Sequence, residues 1–212
     1  IDLCGIKKDP DTVLDNMEDT IAEFKQLYEY GVRNILDVTN DGMGRNPEYV
    51  EKVAQETGIN ILQSTGYYKD PFLPEFVVGA SIEELAALMI KEIEEGIMNT
   101  GVKAVCIGEI GTSRDEMTPS EKKVFEAAII AAKKTDCLIS THTTLGSYAW
   151  QQVELFMESG IAADRVIIGH IALAKDLDLI RKIIDHGFNV AFDTIGKNNY
   201  MPDEERVNYL LA

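Results

Sequence analysis

The strongest constraint on this chain is a rhythm: short apolar, β-branched runs recur with one helix-length segment between them. The runs fall at 34–39, 60–65, 102–108, 137–141, 166–169 and 188–193. They show little polar alternation, the pattern of strands buried on both faces and hence of a parallel sheet covered by helices. Five junctions place glycine directly before an apolar residue, at Gly31, Gly58, Gly101, Gly160 and Gly187. Each reads as the left-handed residue that ends a helix and passes the chain to the next strand. Gly31 to Gly58 and Gly160 to Gly187 are both 27 residues apart, close to the ~30 residues of one βαβ step. Every crossover is therefore one helix long.

Helix starts are equally marked. Asp9-Pro10, Asn46-Pro47 and Thr118-Pro119 set a capping side chain before a proline at the first helical position. Ser81 with Glu84 and Thr118 with Glu121 have capping-box spacing. The interval from Gly58 to Gly101 is longer, 43 residues, and its surplus falls in 66–80, a segment with two prolines and four aromatics. A long loop there lies on the face where barrel proteins carry their chemistry. Counting a partial strand at 1–3, seven strands are expected. The closed form of this pattern takes eight strands and about 250 residues, and this chain has 212. The spacing thus predicts an α/β fold, a TIM (βα)8 barrel without its complete first strand and without strand eight. No composition shift or linker divides it, so residues 1–212 form one domain, truncated at both ends.

Composition narrows the partners. The 36 acidic against 20 basic residues give a formal net charge of −16, which argues against nucleic acid and anionic membrane surfaces and most plainly serves solubility; the partner expected is a small-molecule substrate. Cys4, Cys106 and Cys137 are odd in number and widely spaced, which suits buried thiols in a reducing compartment. No apolar run reaches the ~18 to 20 residues of a membrane span, and the first residues lack signal-peptide character. A cytoplasmic protein is expected.

Chemistry collects at strand ends. Glu109 follows the run ending at Gly108, His142 follows Thr141, and His170 follows Gly169. A buried ionised carboxylate costs several kcal/mol unless a partner or metal compensates it, and no Arg or Lys stands beside Glu109 in the sequence. The separations of 33 and 28 residues each equal one βα step, so the three belong on consecutive strands ~4.8 Å apart. Two imidazoles and a carboxylate converging there suit Zn²⁺, with Mn²⁺, Fe²⁺ and Co²⁺ also fitting. Structural hydrogen bonding is the plainer alternative for one such histidine; the matched placement of two favours ligation. His186, at a helix end, reads as structural.

The runs Gly31 to Asn34, Thr65 to Tyr68, Gly108 to Ser113, Ser140 to Thr143, Val166 to His170 and Phe192 to Lys197 resemble the phosphotriesterase-related family of the amidohydrolase superfamily. That resemblance implies a (βα)8 metal-dependent hydrolase with two divalent metal ions and a possible homodimer. It implies that His142 and His170 hold one ion and that Glu109 bridges the two, in the place where other branches carry a carboxylated lysine. A bridging glutamate argues against classical phosphotriesterase activity. The first ion's His-x-His pair would fall just before Ile1, and its Asp beyond Ala212.

Other strand-end residues are candidates of two readings each. Asp193 could pass protons outward or orient a neighbour, or it could cap the following turn. Tyr67 and Tyr68 open the long loop; Tyr68 in particular lines a substrate pocket if neither merely packs beneath the loop. Arg45 and Lys197 could meet an anionic substrate group, although the glycines around Arg45 are more often a plain turn. The reaction expected is attack of an activated water on an ester, lactone or amide. The alternative is a catalytically degenerate binding or structural protein on the same barrel, if the His-x-His pair is truly absent. A Schiff-base lyase is weaker, because no lysine ends one of these runs.

Overall fold

A computed structural model describes residues 15–212; the expected partial strand at 1–3 and the Asp9-Pro10 helix start lie outside them. The elements alternate along the chain: α1 (Met17–Glu29), β1 (Asn34–Asp37), α2 (Pro47–Thr57), β2 (Asn60–Thr65), α3 (Glu75–Gly79), α4 (Ile82–Glu94), β3 (Cys106–Thr112), α5 (Pro119–Thr135), β4 (Leu138–Thr143), α6 (Ala149–Ser159), β5 (Val166–Ile168), α7 (Leu177–Asp185), β6 (Asn189–Val190) and α8 (Asp203–Leu211). All six strands pair in parallel, in the order β1-β2-β3-β4-β5-β6. A doubly wound sheet reverses direction at a switch point; this one never does. Sequential parallel order with helical crossovers, one helix each except for α3 and α4 between β2 and β3, curls the sheet into a six-stranded arc of barrel type.

The helix signals have the predicted chemistry. Asn46 caps α2 by accepting from the Tyr49 N–H, with Pro47 at the first helical position. Ser81 and Thr118 form capping boxes with Glu84 and Glu121. The core lies between the sheet and its outer helices. Leu85 and Met89 of α4, Val124 and Phe125 of α5, Phe156 of α6 and Ile183 of α7 join Ile107, Ile139 and Ile168 of the strands, all fully buried. The Phe125 and Phe156 rings are 5.7 Å apart, so neighbouring helices share one apolar layer.

Four expectations need correction. The 102–108 run begins pairing only at Cys106 and continues past Glu109 to Thr112, because a register shift between Ile107 and Ile110 lets β3 resume its ladder with β4. Helix α4 ends at Glu94, and a 3₁₀ turn at Ile97–Asn99 separates it from Gly101, so that glycine does not end the helix. The 188–193 run pairs only over Asn189–Val190. The long 66–80 segment is not wholly loop, since α3 sits within it.

The strands touch most closely where the functional side chains emerge. A Cβ built on Gly169 would lie 2.0 Å from the Thr141 carbonyl oxygen, and the Thr143 hydroxyl donates to the Gly169 carbonyl at 2.7 Å. Only glycine admits this approach between β4 and the end of β5. Gly169→Ala should destabilise the fold by about 1–3 kcal/mol, read as a lower midpoint in urea; an unchanged midpoint would refute this packing.

Candidate metal centre

Glu109, His142 and His170 converge at the carboxyl ends of β3, β4 and β5. Each offers a ligand atom within 4.8 Å of the others'. Glu109 Oε2 is 3.4 Å from His142 Nδ1 and Oε1 is 3.1 Å from His170 Nε2; the carboxylate side chain is only 12% exposed. Glu109 and His142 lie within their strands rather than beyond them. His170 follows β5 in the left-handed conformation, at φ 57°.

The outer nitrogens of both imidazoles are fixed by neighbours. His170 Nδ1 donates to Asp193 Oδ1 at 2.7 Å. The Thr144 hydroxyl donates to the Thr112 carbonyl, so its oxygen, 3.3 Å from His142 Nε2, is placed to accept from that nitrogen. Metal-ligating histidines are held in this way, by an acceptor on the nitrogen that does not ligate. The inner His142 Nδ1 lone pair then faces Glu109 Oε2, an acceptor opposite an acceptor, which calls for a cation or a proton between them. The donor set of one carboxylate and two imidazoles fits a divalent transition metal.

Without metal, protons take that role. Burial opposes ionisation of Glu109, but hydrogen bonds and positive fields from His142 and His170 outweigh it and lower its pKa to about 2. Burial also opposes a charged His170, yet the hydrogen bonds to Asp193 and Glu109 and their charges raise it to about 10. His142 is lowered, chiefly by burial, against the pull of Glu109. The metal-free pairing is therefore an ionised Glu109 beside a protonated His170.

Other groups complete the setting. The Tyr68 hydroxyl lies 3.2 and 3.3 Å from the two His142 nitrogens, its ring edge-on to the imidazole and stacked on Phe72. Burial, then the Glu109 charge, pushes that phenol well above its usual range. Asn40, at the end of the β1 run, donates its amide to the Glu109 carbonyl at 2.7 Å. Gln152 of α6 donates to the His142 carbonyl and the Thr112 hydroxyl, both at 2.9 Å. The strand-end position of Asn40 was a signal that sequence reading passed over; Gln152 and Thr144 had none.

The remaining candidates sit elsewhere. Arg45 does not face the cluster: its side chain is 5% exposed and its guanidinium grips Glu92 of α4 through two 2.7 Å bonds. A buried guanidinium needs this fork-to-fork pairing, and it leaves Arg45 unfit as a substrate ligand. Tyr67 is buried edge-on against Phe76 on the same side as Arg45 and Glu92, whose charges act on its hydroxyl. Lys197 is exposed in the turn after Asp193, its amide bonded to the Thr194 carbonyl. His186 donates Nδ1–H to the Lys182 carbonyl at the end of α7. A cleft of about 280 Å³ beside Trp150, Asp115 and Asp176 includes none of the three cluster residues.

A singly wound β/α arc with its polar cluster at the strands' carboxyl ends defines the class as a barrel-type α/β protein. Within that class the family follows from comparison: the profile of the Phosphotriesterase family matches residues 1–212, and the chain belongs to this family. It is 47% identical over 212 residues to the phosphotriesterase homology protein of Escherichia coli, covering all of this chain and 73% of that one. The crystal structure of that protein, with phosphate in its active site, superposes with a TM-score of 0.96 over the whole chain. An aryldialkylphosphatase of Saccharolobus solfataricus is 33% identical over 91% of this chain and 61% of its own. A lactonase of Listeria monocytogenes matches at a TM-score of 0.91 and 25% identity, over 94% of this chain and 66% of its own. The chain thus spans 61% to 73% of the length of these relatives.

The charge arrangement has a stability signature in metal-free protein. His170, with a folded pKa of about 10 against the ordinary ~6.5, contributes fully below ~6.5 and loses that contribution as pH rises through its folded value. The difference in unfolding free energy between wild type and His170→Asn should shrink from pH 6 to pH 10. A difference that stays flat or grows would contradict the pairing.

Proposed function

We propose that the chain is the larger part of a metal-dependent hydrolase acting on an ester, lactone or amide bond of a small molecule, on a (βα)8 barrel completed by segments outside residues 1–212. The observation that carries this reading is the Glu109 carboxylate facing the inner nitrogens of two imidazoles whose outer nitrogens are already engaged. The named activities of its relatives, an aryldialkylphosphatase and a lactonase, are both hydrolytic.

Glu109, His142 through Nδ1 and His170 through Nε2 would hold one divalent cation, with zinc the best match to this mixed set. Bound there, it would supply Lewis acidity and a water acidic enough to attack near neutral pH. A second cation sharing Glu109 would draw its other ligands from a His-x-His pair and an Asp in the adjoining strands. Asp193 Oδ1 holds the proton on His170 Nδ1 and so keeps the Nε2 lone pair turned inward. Its partial exposure lets it exchange that proton with solvent. Tyr68, over His142, is placed to donate its hydroxyl proton to a substrate oxygen, and Phe72 walls the same side. Asn40 and Gln152 hold the main chain beneath two of the ligands.

In the full-length protein, chelation should abolish hydrolysis and zinc should restore it. Glu109→Ala, His142→Ala and His170→Ala should each lose bound metal, while Asp193→Asn should weaken metal affinity by about 10- to 100-fold. Metal content by plasma emission and turnover of a lactone and ester panel measure both. Turnover that survives full chelation would defeat the reading.

A further inference from the structure

Beside the cluster stands a half-buried cation, Lys69, that forms no ion pair with a carboxylate among the described residues. Lys69 follows Tyr68, and the Gly111 N–H donates to the Tyr68 carbonyl at 2.8 Å, which carries the β2 to β3 contact past the end of β2. Gly111 pairs in register with His142. A Cβ on Gly111 would lie 3.0 Å from His142 Cβ and 3.3 Å from Lys69 Cδ. Glycine here opens the slot through which the lysine stem runs alongside His142. The ammonium rests 5.8 and 5.6 Å from the Tyr68 and Phe72 ring centroids, and its charge reaches the His142 ring.

Its hydrogen bonding is incomplete. Among the described residues, Nζ donates only to the Asp70 carbonyl, at 3.1 Å. The nearby carboxylates are engaged elsewhere. Asp70 Oδ2 accepts from the Thr118 hydroxyl; Glu121 accepts from the Ser113 hydroxyl and from the Asp70 and Thr118 amides. Lys123, by contrast, fills all three donor positions with the carbonyls of Val77, Val78 and Ala80. An ammonium has three donors, so Lys69 keeps two for a ligand. In a chain of net charge −16 an anionic substrate meets general repulsion, and a local cation beside the reacting centre offsets it.

We propose that Lys69 is a specificity-determining residue that pairs with an anionic group (carboxylate, sulfonate or phosphate) on the substrate, positioned over Tyr68 and Phe72. This rests on the hydrolase reading above. The test uses full-length, zinc-loaded protein and matched lactones, esters and amides carrying each anion, every one compared with its neutral methyl-capped isostere. Wild type should prefer anionic members, and the three arms show which anion is taken. Lys69→Met should lower the anionic-to-neutral ratio of kcat/KM by about ten- to a hundredfold, mainly through KM, while Lys69→Arg keeps the preference. A wild type indifferent to charge, or a ratio unmoved by Lys69→Met, would overturn the inference. If wild type hydrolyses no member, the hydrolase reading has failed instead. Calorimetric binding of the same uncleaved compounds then decides the Lys69 inference by the same ratio.

Discussion

The structure turns on one buried carboxylate. Glu109 leaves the middle of a core strand where an isolated charge would be untenable, and its oxygens lie 3.4 and 3.1 Å from two imidazoles on the next two strands. Everything around it serves that contact. The register shift in β3 turns Glu109 out of the ladder while the strand goes on to Thr112. Gly169 lets the end of β5 close against β4, and Asp193, Thr144, Asn40 and Gln152 fix the groups on which the contact depends.

The scaffold explains why three residues so far apart in sequence can meet. Helical crossovers between sequential parallel strands put successive strands side by side and point their carboxyl ends the same way. The long segment after β2 is then anchored from the far side by α5. The α5 capping box takes in Asp70 through Thr118 and Glu121, and Lys123 caps α3. Tyr68 and Lys69 are thereby held on the wall of the site by a helix whose own start was stabilised locally.

Much of this was legible in the sequence because local rules governed it. The helix starts at Asn46, Ser81 and Thr118 and the ends at Gly58 and Gly160 depend on residues within one turn, and the structure has them as expected. Glu109, His142 and His170 were visible because one βα step converts sequence spacing into spatial adjacency. What was hidden depends on distant partners. Arg45 looked free until Glu92, 47 residues on, took a bond from each of its two terminal nitrogens. Tyr67 and Tyr68 are adjacent in sequence, yet the chain turns one toward Phe76 and the other onto His142. The extent of β3 was misread because a charged residue looked like a strand's end when it was a bulge within it. Lys69 gave no signal, since its importance comes from the side chain that Gly111 lacks.

The central claim is that Glu109 and the inner nitrogens of His142 and His170 form one metal centre. Anomalous diffraction at the zinc edge from crystals of the metal-loaded full-length protein tests it most directly. The account predicts a peak about 2.0–2.2 Å from His142 Nδ1, His170 Nε2 and a Glu109 oxygen. No peak there, or ligation through His142 Nε2 or His170 Nδ1, would contradict it.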